Sequence, residues 1–239
     1  MTKAFFAIFL TEARLALRGG DMLLFGILFP VAVMLLTGFV MGPEGTALGF
    51  AGISAIGICA AGLMGVPLTF AGYRHSKILR RYRVTPVSPT VLLVAVAAVQ
   101  TAFAAVSGIA VLIVASGLFG VRIEGGLVRF ALTFAFVLFS VFSLGFLVAS
   151  LVPDERAANV ACSILYFPTL FASGATVPYE ILPRPLTAVM DWIPLTEGIK
   201  LLKGATVGSS PGGDLAGFLA LAALGALSCV VAARSFRWE

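Results

Sequence analysis

Arg74, Lys77, Arg80, Arg81 and Arg83, with His75 among them, crowd one short stretch of this chain. Cations at that density bind anions, whether phosphate headgroups or an acidic groove on another protein. Ile78, Leu79 and Tyr82 lie at i, i+1 and i+4, on one face of a short helix, with Arg74, Lys77 and Arg81 around the rest. Pro86 disfavours helical geometry at Thr85, so that helix is expected to end near Val84. Such a knob can hug lipid or fit a protein groove, and periodicity leaves both readings open. Arg80-Arg81-Tyr82-Arg83 is too short a run to make a nucleic-acid face.

Other chemistry is thinly supplied. The carboxylates are scattered, with Glu44 and Glu124 in turns, Asp154 and Glu155 in another, and Glu180, Asp191, Glu197 and Asp214 in one loop. None forms a pair with the spacing that acid–base catalysis requires. Cys59, Cys162 and Cys229 all fall in apolar stretches and read as small hydrophobes. A single histidine, His75, gives no His-based metal cluster. The chain carries no Gly-x-x-x-x-Gly-Lys-Ser/Thr, so it does not grip nucleotide phosphates by that route.

The elements that position these residues are membrane helices. Of 239 residues 60% are hydrophobic and only 11% charged, about half the charge of a soluble domain, and mean hydropathy is +1.07. Six stretches are long and uncharged enough to span about 30 Å of hydrocarbon. They lie at about 22–41, 47–72, 90–118, 130–152, 157–176 and 214–233, in one permease domain over 1–239. Their polar side chains are hydroxyls such as Thr37, Ser54, Thr69, Thr101 and Ser140, with Gln100 and Asn159. None of these titrates near neutral pH, which argues against a self-powered, ion-coupled carrier.

With both termini inside, 11 Lys/Arg face the cytoplasm and 5 (Arg122, Arg129, Arg184, Lys200, Lys203) face out, the positive-inside asymmetry. Lys3, Glu12, Arg14 and Arg18 interrupt the first twenty residues, so they read as an interfacial helix rather than a cleavable signal; a frayed terminus is the plainer alternative. Residues 178–212 are too polar and proline-rich to span, and their two apolar stretches read as a re-entrant helical hairpin or as a surface loop. Pro30, Pro67 and Pro168 interrupt three spans and are either tolerated or flexible points. Gly57, Ala61 and Gly65 form one smooth ridge for packing within the chain or against another copy.

The stretch Lys77-x-Leu79-Arg80-Arg81-x-Arg83-x-Thr85-Pro86-x-Ser88 resembles the coupling-helix region of type-2 ABC exporter permeases. The likeness continues through Phe167-Pro168, Ser173-Gly174, Pro178, Leu182-Pro183 and Pro194-Leu195-Thr196. One departure is visible: relatives often carry acids within the coupling stretch, and this one is wholly basic. The resemblance implies an all-α subunit of six spans with cytoplasmic termini, a coupling loop at 73–89 and an outer hairpin. It further implies two separate ABC-type ATPase subunits holding ATP and Mg, a second permease copy, and no cofactor or metal on this chain.

By position, Lys77, Ile78, Leu79, Arg80, Arg81 and Tyr82 would engage the ATPase. Spans one, two and five line the route in that family, which makes Phe29, Met34, Met64, Tyr166, Phe167 and Phe171 the path candidates. Pro168, Ser173 and Gly174 would stand at the outer gate. A lining without charge suits hydrophobic or amphipathic cargo, drug- or antibiotic-like, better than a metal ion. The expectation is therefore an ATP-driven exporter subunit in a prokaryotic plasma membrane. Export of a lipid-linked glycan or peptide, or a channel or scaffold without an ATPase, are the alternatives.

Overall fold

The computed structural model describes residues 2–78, 89–177, 179, 183–208 and 215–235. Every element among them is helical: α1 (Thr2–Gly19), α2 (Asp21–His75), α3 (Pro89–Phe119), α4 (Leu127–Leu151), α5 (Glu155–Ala172), α6 (Arg184–Met190), α7 (Pro194–Val207) and α8 (Leu215–Ser235). Four of them, α2, α3, α4 and α8, are long and apolar enough to cross a membrane. α5 has 18 residues and opens on Glu155, Arg156 and Asn159, which dilute its apolar character.

At 55 residues, α2 would run about 80 Å if straight. It is not straight. Gly42 adopts φ 69° and ψ −168°, a left-handed conformation that a side chain resists, and Pro43 follows it. The chain folds back there, so that Met22 meets Gly65 and Gly26 meets Gly57. Both pairs are centred near residue 42, the signature of two antiparallel arms, 21–41 and 43–75.

The second arm is the hub. Residues 49–63 are buried all round, with α3, α4, α5, α7 and the first arm against them. Only small side chains let so many helices approach one axis. The ridge of Gly57 and Gly65 is used within the chain: Gly57 faces Ser107 and Gly26, and Gly65 faces Met22 and Gln100. Where α4 crosses, a Cβ on Gly145 would strike the Gly62 carbonyl. Gly145→Ala is therefore expected to cost about 1–3 kcal/mol of stability by overpacking. Gly117→Ala, with open space around it, should be neutral or better because alanine favours helix. Thermal melts of the two variants in detergent check this, and equal melting temperatures would refute it.

Two prolines act on helix winding. Pro30 and Pro67 lack the N–H that would bond Gly26 and Leu63, and their rings crowd those carbonyls. In both places the helix relaxes just before the proline into π-type turns, Leu24–Leu28 and Ala60–Gly65. Pro168 is carried inside α5.

α1 packs on α3 through Ile8 and Phe5, with Phe5 stacked on Phe9. α6 and α7 follow α5, and α7 beds its Leu195, Ile199 and Leu202 among α2, α4 and α8. The turn between α3 and α4 is tied to the end of α7, since the Glu124 amide donates to the Thr206 carbonyl at 2.8 Å.

Candidate functional site

The basic end of the molecule is built where α2 stops. The Ser76 amide bonds the Gly72 carbonyl at 2.9 Å, and Lys77 turns the chain away at φ 55°. A left-handed lysine at a helix end takes a place usually given to glycine. Ile78 lies partly buried against the core. Leu79, Arg80, Arg81 and Tyr82, and the expected helix end near Val84, fall outside the described residues.

One contact ties this end to the rest. Arg74 Nη1 donates to the Val152 carbonyl at 2.7 Å, across 78 residues of sequence. Val152 sits in the turn between α4 and α5, where Asp154 caps α5 by accepting from the Ala157 amide at 2.8 Å. Arginine stays charged in proteins, so the Arg74–Val152 contact is a charge-assisted bond to a backbone carbonyl. Beside this joint His75, Asp154, Glu155, Arg156 and Asn159 ring a polar hollow of about 560 Å³. The Arg74–Val152 bond thus ties the inner end of the second arm to the turn that joins α4 and α5.

The path candidates do not converge on one channel in the single chain. Met34 and Tyr166 are fully buried, Phe29 is partly buried, and Met64 borders a cavity described below. Phe167 and Phe171 point outward, 45% and 60% exposed, in line with Val160 and Ile164 on one stripe of α5. Of the outer-gate candidates, Pro168 is exposed, whereas Ser173 and Gly174 are buried against α7. Gly174 is left-handed at φ 86°, so only glycine fits its turn without strain.

The hydroxyls of Ser173 and Thr196 face a void of about 30 Å³ and lack protein partners, room for one ordered water. Over it lies a polar clip. Lys200 Nζ sits 2.7 Å from both Asp191 and Glu197, and Tyr179 donates to Asp191 at 3.0 Å. The bond from Lys200 pulls the Asp191 carboxyl down. Burial pushes Lys200 down, but its bonds to Asp191 and Glu197 outweigh that and leave it raised.

A feature that sequence reasoning missed is an inner cavity of about 390 Å³ between α1, both arms of α2, α3 and Asn159 of α5. Glu12, Tyr73 and Gln100 are on its wall. Its one legible signal is Gln100, the only amide in the uncharged run of α3.

A model of the ABC-2 type transporter family matches residues 3–206, from α1 through α7. The chain belongs to that family. Its members are membrane permease subunits, and the match includes the basic loop and the Arg74–Val152 joint. The inner membrane transport permease YhhJ of Escherichia coli is 27% identical over 134 residues, 55% of this chain, and its Shigella flexneri counterpart aligns equally. The alignment spans 36% of those relatives' length, so this ABC-2 permease corresponds to about a third of them.

Proposed function

We propose that this ABC-2 permease is the membrane half of an ATP-driven exporter that moves a hydrophobic or amphipathic small molecule out across a prokaryotic plasma membrane. Two separate ABC-type ATPase subunits bind ATP and Mg and engage Lys77–Tyr82. A second permease copy completes the transporter, with the exposed stripe of α5 through Phe167 and Phe171 turned toward cargo or that copy. Six crossings follow from this reading: residues 21–41 and 43–75 as the arms of α2, then α3, α4, α5 and α8, with both termini inside. α1 lies on the inner leaflet, and α6 with α7 dips into the outer one between residues 178 and 212.

The observation that carries the reading is the Arg74–Val152 bond, which joins the two inner connections. The described spans hold no titratable carboxylate, lysine or histidine at mid-length, so energy has to arrive from outside the bilayer. A joint between the basic loop and the turn before α5 is what a permease driven from its inner face needs.

The test is co-purification. An epitope-tagged chain extracted gently from its native membrane should bring down a Walker-motif ATPase, and cells expressing both should retain less of a fluorescent apolar compound. Clean isolation of the permease alone, with unchanged dye retention, would favour a channel or scaffold and end the proposal.

A further inference from the structure

The inner cavity has the composition of a binding site. Its floor is buried and apolar, formed by Ala60, Val96 and Val99, while Leu15, Asp21 and Phe25 stand exposed at its mouth. A volume near 390 Å³ is within the range of small-molecule pockets. Asn159, Thr69 and Tyr73 add neutral polar groups to the wall, but its charged groups are of one sign. Glu12 and Asp21 are on its wall, and no lysine, arginine or histidine among the described residues joins them. That is unexpected at the basic end of a chain with net charge +5.

Gln100 supplies the second, independent observation. It is 4% exposed, it lines the cavity, and its Oε1 has no hydrogen-bond partner. A buried acceptor left unmatched is destabilising, and a donor arriving in the cavity would relieve that. The backbone makes room for it: a Cβ on Gly65 would collide with the Gln100 side chain and with Met22. Glu12 shares the cavity wall with Tyr73, and burial raises its carboxyl above the ordinary range while the neighbouring Tyr73 hydroxyl lowers it in part.

We infer that this cavity binds an amphipathic organic cation, its apolar body against Met64, Leu68, Val96 and Val99 and its charged N–H end toward Glu12 and the Gln100 carbonyl. The inference names the cargo class within the transport reading above. A cation entering here exchanges water for a carboxylate and an unmatched acceptor. An anion would meet two carboxylates and no donor cation.

The experiment uses the full chain in nanodiscs of phosphatidylcholine, without any ATPase, and follows ethidium by fluorescence. Ethidium offers a delocalised positive charge, aromatic amines and a flat apolar body. Saturable binding is expected above that of empty discs. Glu12→Gln and Gln100→Leu should each weaken it about tenfold, as loss of a charged or buried hydrogen bond does. Glu12→Asp, which keeps the charge, should stay within about threefold, and Glu44→Gln at the opposite end should change nothing. Equal affinity in wild type, Glu12→Gln and Gln100→Leu overturns the inference, as does absence of saturable binding. Because no nucleotide is present, failure of an ATPase to co-purify would remove the exporter reading and leave this result standing.

Discussion

Replacing Leu79 or Tyr82 by aspartate is expected to abolish transport while the chain still inserts in the membrane. Both residues belong to the apolar face of the short basic helix read after the second span. A carboxylate there must be desolvated to enter a protein groove, and an unpaired buried charge costs several kcal/mol. Placed on lipid instead, the same helix would lose only part of its surface affinity. Transport assays in cells, with membrane fractionation as the control, decide it. Normal transport by both variants would refute docking of this loop on an ATPase.

Arg74→Met is expected to uncouple the machine rather than dismantle it. Its guanidinium bonds the Val152 carbonyl at 2.7 Å in a half-buried setting, and hydrogen bonds to charged groups contribute about 1.5–3 kcal/mol. Methionine retains most of the apolar stem and drops the bond. The loop after α2 would then move without carrying the turn before α5. Transport should fall about tenfold or more, while ATP hydrolysis by the assembled complex persists. Parallel loss of both activities would mean that Arg74 supports folding or assembly instead of transmission.

Much of this architecture was legible because hydrocarbon excludes charge. The uncharged windows at 22–41, 90–118, 130–152 and 214–233 coincide closely with 21–41, α3, α4 and α8. The reversal at Gly42 was legible as a gap between two windows, though its left-handed geometry was not. α5 was read from length and apolarity, yet Arg156 and Asn159 make it the least hydrophobic of the set. In α7 the i, i+4, i+7 spacing of Leu195, Ile199 and Leu202 marks the face that is buried.

The site was harder to read, for physical reasons. Periodicity says which residues share a face of one helix, but not which helix that face meets. Met34 and Tyr166 read from sequence as equal to Phe171, yet in the single chain the first two are buried and Phe171 is exposed. The Arg74–Val152 bond spans 78 positions, and no local pattern announces a partner that is a backbone carbonyl. Glu12 looked like an ordinary interfacial charge until α1 was placed beside Tyr73 and Gln100.

The paired π-type turns have a bearing on ancestry. Each holds one residue more than an α-helix of the same rise would need, so each is equivalent to a tolerated single-residue insertion. Deleting one position within 60–64 would restore regular winding and leave the residues up to His75 facing nearly as they do now. Tyr73 would keep its place on the inner cavity, and Arg74 its bond to Val152. Within this lineage a gap of one residue should therefore be more common between Ala60 and Gly65 than within the uninterrupted α-helical winding of α3, where it would rotate one half against the other by about 100°.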